Sequence, residues 1–271
     1  MTIKFKTVAA LGTLLGALAL AGCGQEEKDP NHIKVGVIVG AEQQVAEVAQ
    51  KVAKDKYGLT VELVSFNDYV LPNEALSKGD IDLNAFQHKP YLDQQIKDRG
   101  YKLVAVGNSF VYPIAGYSKK IKSLDELQNG AQIALPNDPT NLGRPLLLLQ
   151  KQGLVKLKDN VGLLPTVLDV VENPKNLKLV ELEAPQLPRS LDDDQIALAI
   201  INTTYASQIN LTPTKDGLFV EEKGSPYVNL IVSREDNKDA ANVKKFVQAY
   251  QSDEVYEAAN KIFNGGAVKG W

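Results

Sequence analysis

The chain is poor in the residues that carry thiol, imidazole and metal chemistry. Its 271 residues include one cysteine, so it can form neither an intrachain disulfide nor a cysteine-rich metal site. Two histidines, His32 and His88, are all the imidazole it has. Catalytic signatures are missing too: there is no GxSxG elbow, no HExxH pair and no GxxxxGK(S/T) phosphate loop. Neither sign of charge dominates. Thirty basic against 33 acidic residues give a formal net charge of −3, which argues against a nucleic-acid partner. Beyond residue 22 no apolar run approaches the roughly 20 residues that span a bilayer. What remains, 44% apolar and 23% charged, is the composition of a globular chain. These absences predict no cofactor, no metal site and no catalytic residue.

Residues 1–22 differ from the rest. Lys4 and Lys6 precede an apolar stretch from Val8 to Leu20 that is too short to cross a membrane, so it reads as a secretory signal. Leu20-Ala21-Gly22-Cys23 follows at once and resembles a bacterial lipobox, with Cys23 the acylated residue. Stable attachment to a lipid bilayer needs more than one acyl chain, which a triacylated N-terminal cysteine supplies. Residues 23–31 then form a polar, proline-containing tether. Met1 is the only methionine, so the cleaved chain contains none.

The body alternates strand and helix patterns. Ile33–Val39, Val61–Phe66, Ile81–Ala85 and Leu103–Val106 read as strands, with helices over Glu42–Lys56, Pro72–Lys78 and Pro90–Arg99 between them. The pattern restarts with a short helix at Ser123–Gln128, a strand at Gln132–Leu135 and a leucine-rich helix at Pro145–Lys151. A strand at Leu177–Leu182 and a short helix at Leu187–Asp193 come next. The continuous apolar run Ile196–Ile201 is what a strand buried on both faces needs. Tyr227–Val232 is the last strand, followed by two amphipathic helices. The alternation predicts parallel sheets covered by helices, in two α/β lobes. The terminal helices need a sheet to cover, and the first half supplies it.

Open α/β sheets bind ligands beyond the carboxyl ends of their strands. Those positions hold Asn67, Asp68 and Tyr69, then Phe86, Gln87, His88 and Tyr91, then the loop from Pro136 to Arg144, and Asn202; Asn229 lies in the returning strand. The set is aromatic and amide-rich, with one cation. Arg144 stands out. Placed before a helix start at Pro145, it would hold an anion bidentately where the helix N-terminus already favours one. A surface arginine capping its loop through Asp138 is the equally weighted alternative. Pro145 would keep Arg144 extended in either case. Tyr69, Phe86, His88 and Tyr91 together suggest an apolar slot, and aromatic edges suit a thioether among other apolar groups. Asn202 and Asn229 offer donors and acceptors to a zwitterion, or serve as backbone caps. The acidic runs Glu26-Glu27 and Asp192-Asp193-Asp194 read as solvated surface. Without an activated nucleophile, binding is the default over catalysis.

The chain resembles the NlpA lipoprotein family, the methionine-binding lipoproteins of bacterial importers. The resemblance is carried by LAGC, VGVIVGAEQQVAEVAQ, NDYVLPNEALSKGDID, NAFQHKPYLD, NDPTNLGR and SPYVNLIV, and it covers essentially the whole chain. It implies a type II-like periplasmic-binding-protein fold, with two α/β/α domains on a two-crossing hinge. One lobe would comprise residues 32–111 plus 228–271 and the other residues 112–227. It implies that Tyr69, Phe86, His88 and Tyr91 surround a methionine side chain, that Arg144 holds the carboxylate, and that Asn202 and Asn229 bind the polar groups. The implied partner is a membrane ABC transporter with permease and ATPase subunits, served by a monomer anchored to the inner membrane and facing the periplasm. Proline at position 145 departs from the small polar residue expected there. Two other readings stand beside this one. One is an enzyme acting on amino-acid derivatives, with His88 as base near Asp68 or Asp138. The other is a surface-interaction lipoprotein without a small ligand.

Overall fold

The computed structural model describes residues 29–222 and 224–271. The predicted signal segment, the lipidation position Cys23 and the tether up to residue 28 lie outside the described residues.

The first half begins with β1 (His32–Ile38), whose Ile33, Val35 and Val37 enter the core. Gly40, at φ 105°, turns the chain into α1 (Ala41–Tyr57). Val45, Ala46, Ala49, Val52 and Ala53 recur at helical spacing and are buried, and Gly58 ends the helix in the left-handed conformation. β2 (Thr60–Phe66) pairs parallel with β1 along its whole length. α2 (Leu71–Lys78), β3 (Leu83–His88), α3 (Lys89–Arg99), β4 (Leu103–Asn108) and β5 (Phe110–Val111) follow.

The chain then crosses through Tyr112 and Pro113 into β6 (Ala115–Tyr117), β7 (Gln132–Pro136) and α4 (Pro139–Lys151). A small hairpin pairs β8 (Lys156–Leu157) with β9 (Val170–Glu172). The second half closes with β10 (Lys178–Leu182), α5 (Leu187–Ser190), β11 (Ile196–Ile201), α6 (Thr203–Ala206), α7 (Pro213–Asp216) and β12 (Phe219–Val220). The chain crosses back into β13 (Asn229–Arg234), α8 (Ala241–Tyr250), α9 (Asp253–Ile262) and β14 (Val268–Lys269), which pairs with β5. α8 and α9 pack on α1 and share one core with the first sheet through Val243, Phe246, Val255 and Phe263.

The result is a two-lobed α/β fold built on two five-stranded sheets. Their strand orders are β2-β1-β3-β13-β4 and β10-β7-β11-β6-β12. Ile196–Ile201 takes the central position of the second sheet, as its unbroken apolar run predicts.

The sheets are mixed, where alternation alone predicted parallel ones. β13 runs antiparallel to β3 and β4, and β6 antiparallel to β11 and β12. The crossings explain this. Asn229 starts β13 opposite His88, the last residue of β3, and Ala115 starts β6 opposite Ile201, the last residue of β11. A strand that enters a sheet at its neighbours' carboxyl ends has to run the other way.

Three further boundaries differ from the sequence reading. The third strand is Leu83–His88 rather than Ile81–Ala85, which puts Phe86, Gln87 and His88 inside the sheet's end. The segment read as a helix at Ser123–Gln128 is a single 3-10 turn, Leu124–Glu126. The leucine-rich helix starts at Pro139, six residues before Pro145. Asp138 accepts the Asn141 N–H as N-cap, and Pro139 takes the first helical position, where no N–H is needed. Arg144 therefore sits inside α4, and Pro145 does not hold it extended.

Candidate functional site

Both crossings and the carboxyl ends of both sheets meet at one cavity. Of the strand-end positions named from the sequence, Tyr69, Phe86, His88, Tyr91, Arg144, Asn202 and Asn229 line it, while Asn67 and Asp68 do not. Gln87, Tyr112, Asn141, Thr203 and Thr204 complete the lining.

The wall from the first lobe is aromatic. Tyr69 stacks on Phe86 at 5.8 Å between centroids, and Tyr91 meets both rings edge-on at 6.2 and 6.1 Å. Tyr91 donates its hydroxyl to the Tyr69 carbonyl, which locks the pair. Behind this wall Asn73, Asn84 and Gln87 close their side-chain amides on one another. A polar cluster satisfied in this way adds rigidity without leaving groups for a ligand. Asn229 donates to the Phe86 carbonyl at 3.0 Å, and its own side-chain oxygen has no hydrogen-bond partner among the described residues.

The wall from the second lobe is a chain of directed hydrogen bonds whose polarity one carboxylate sets. Asp138 can only accept, so the Asn141 Nδ2 faces it, at 3.1 and 3.0 Å from the two oxygens. The Asn141 Oδ1 must then accept, and it does so from Asn202 Nδ2 at 2.7 Å and from His88 Nε2 at 3.2 Å. His88 Nδ1 accepts the Tyr91 N–H, so the ring is neutral with its proton on Nε2. Burial, with the Arg144 charge adding to it, pulls the His88 pKa down to about 3. Asn202 gives one of its two amide hydrogens to Asn141, and its Oδ1 is buried without a partner among the described residues. Such an orphan is costly unless something fills it. Burial raises the pKa of Asp138 against these same hydrogen bonds.

Arg144 is buried, 4% exposed, which excludes the surface-cap alternative. It forms a two-pronged pair with Glu221 through Nε, at 2.9 Å, and Nη2. Nη2 also donates to the Tyr112 carbonyl at 3.0 Å, and the guanidinium carbon lies 4.5 Å from the centre of the Tyr227 ring. As a mid-helix residue it is not at the helix N-terminus that the sequence reading gave it.

The lobes also touch beside the cavity. Tyr205 packs on Tyr69 at 5.0 Å, and Gln208 donates to the Val39 carbonyl. Thr204 donates its hydroxyl to Glu42, a carboxyl buried in the first turn of α1. Desolvation raises the Glu42 pKa to about 8, with the Thr204 bond opposing.

Sequence reasoning passed over Glu42, Tyr112, Thr203, Thr204 and Glu221, and named Asn141 only as part of the Pro136–Arg144 loop. Asn141 had a usable signal: Asp138-Pro139 is an N-cap followed by a first-turn proline, which moves the helix start back and puts Asn141 on it. Glu42 reads as an ordinary first-turn acid, and nothing local marks Glu221. Among the described residues no group of three or more His, Cys, Asp or Glu side chains is arranged to hold a metal, and no helix is long and apolar enough to cross a membrane.

The comparisons with known proteins agree with this architecture. The chain is 88% identical over its full length to the D-methionine-binding lipoprotein MetQ of Escherichia coli strain K12, and 100% of that protein is covered. A crystal structure of a methionine-binding protein, MetQ, superimposes with a TM-score of 0.89 at 90% identity, covering 90% of this chain and 99% of the other. A periplasmic substrate-binding protein of an ABC transporter from Coxiella burnetii superimposes with a TM-score of 0.85 at 49% identity, covering 88% of this chain and 100% of the other. The NlpA lipoprotein family model matches residues 33–271, and the chain belongs to that family.

Proposed function

We propose that the protein captures methionine between its lobes and delivers it to an ABC importer. The observation that carries this reading is the pairing of an aromatic slot with a buried guanidinium across one cavity. Tyr69, Phe86, Tyr91 and the neutral edge of His88 take the thioether chain; burying such a chain contributes roughly 1.5–3 kcal/mol. Arg144 takes the carboxylate, the orphan Asn202 Oδ1 accepts from the ammonium, and Asn229 offers its free oxygen to the same end. The lobes are residues 32–111 plus 228–271 and residues 112–227, moving about the two crossings. The names of the relatives and neighbours support the ligand class and the transporter.

Binding without turnover is the activity, because His88 holds a neutral ring with both nitrogens engaged and no serine or cysteine among the described residues lines the cavity. Cleavage before Cys23 and its acylation tether a monomer to the inner membrane, facing the periplasm, where permease and ATPase subunits receive the amino acid. The test is titration calorimetry of the full-length lipoprotein in detergent, freed of carried-over ligand. A saturable heat with L-methionine, and methionine among the small molecules released on denaturation, support the reading. Silence in both experiments refutes it.

A further inference from the structure

Arg144 has five N–H hydrogens to place. The Nε hydrogen goes to Glu221 Oε1, and those of Nη2 go to Glu221 Oε2 and the Tyr112 carbonyl. The two on Nη1 have no partner among the described residues, and Arg144 lines the cavity. Glu221 does more than neutralise a buried cation, which a single contact would achieve. It also accepts from Ser225 Oγ at 3.1 Å and from the Ile114 N–H at 3.4 Å. Tyr112 and Ile114 lie on the outbound crossing, and Glu221 and Ser225 on the return. The guanidinium is thus fastened to both segments that join the lobes.

We propose that Glu221 is a positioning residue for ligand recognition. It clamps one edge of the Arg144 guanidinium so that only the Nη1 edge meets a ligand carboxylate, and it ties that edge to both crossings. This rests on the reading of Arg144 as the carboxylate anchor. In Glu221→Gln, an amide NH2 replaces one of the two acceptors and faces a guanidinium N–H. Donor then opposes donor, and the planar group has to turn away from its set direction. Glu221→Asp keeps the charge but withdraws the clamp by one methylene.

The experiment compares L-methionine with methioninamide, whose carboxamide is neutral, by calorimetry on the full-length protein in detergent. The wild type prefers methionine. The proposal expects Glu221→Gln to reduce the methionine-to-methioninamide affinity ratio at least tenfold, and Glu221→Asp to reduce it less, both with an unchanged circular dichroism spectrum. Equal weakening of both ligands would make Glu221 merely structural and overturn the proposal. Tighter methionine binding in Glu221→Gln would overturn it by showing that Glu221 competes for the guanidinium. Wild-type selectivity in Glu221→Asp would overturn it by showing that charge alone suffices. A wild type that binds both ligands equally, with Arg144→Ala unaffected, would remove the underlying reading and this proposal with it. That failure is recognised without any Glu221 variant.

Discussion

The two walls of the cavity are built on opposite plans. The first-lobe wall, Asn229 apart, spends its side-chain amides on one another, through Asn73, Asn84 and Gln87, and shows mainly rings to the cavity. The second-lobe wall is a chain of charges and amides from Asp138 through Asn141 to Asn202, beside the Arg144–Glu221 pair, and its unspent hydrogen-bonding capacity faces the cavity. The first wall offers chiefly area, and the second offers chiefly direction. An amino acid needs both, one for each end.

The largest break comes at Arg144→Ala. Charge-assisted bonds contribute roughly 1.5–3 kcal/mol each, so calorimetry should show methionine binding at least about 100-fold weaker. Glu221, only partly exposed, is then left without its cation, and denaturant unfolding should show a loss of up to about 3–5 kcal/mol. Adding Glu221→Ala should recover part of the stability and none of the binding, which separates the two roles.

Phe86→Ala tests the other wall. Removing a buried ring costs roughly 3–5 kcal/mol of stability. The loss of affinity should be about equal for methionine and norleucine, because rings that offer area do not discriminate sulfur strongly from methylene.

The pH dependence separates two buried titratable groups, Glu42 and His88. Glu42 is raised from 4.5 to about 8, so the folded protein holds a proton that the unfolded chain gives up above its ordinary pKa. Its contribution is whole below pH 4.5 and is lost as pH rises toward 8. His88 is lowered from 6.5 to about 3, so its contribution is whole above pH 6.5 and is lost as pH falls toward 3. Glu42→Gln should flatten the alkaline decline, by on the order of 1–2 kcal/mol between pH 6 and 7.5, and leave the acid decline intact. Unfolding midpoints across pH check this.

Asp138→Asn carries the smallest effect. Asparagine caps a helix about as well as aspartate, so stability should hardly move. The amide at 138 can donate as well as accept, and the network through Asn141 no longer has one obligatory direction. Methionine binding should weaken by roughly 2- to 10-fold, the size of one ordinary hydrogen bond.

Much of this was legible in the residues. The buried faces of α1, α8 and α9 follow the 3.6-residue period, and Ile196–Ile201 announces a central strand by having no polar side. The cavity's aromatic positions were found because strand ends are where such sheets bind. What stayed hidden depends on contacts distant in sequence. The Arg144–Glu221 pair spans 77 residues and Thr204–Glu42 spans 162, and neither has a local pattern to betray it. The antiparallel direction of β6 and β13 is set by where the chain crosses, which periodicity does not report.

β13 has a consequence for how the molecule forms. It lies between β3 and β4, so the first sheet cannot be completed by the first hundred residues of the chain. Until residues 229–234 arrive, β3 and β4 each have an open edge and no neighbour between them. Pairing so distant in sequence slows folding, because a long loop must close before the contact rewards it. The amino-terminal portion is thereby kept from setting early, and the final commitment to structure waits for nearly the entire polymer.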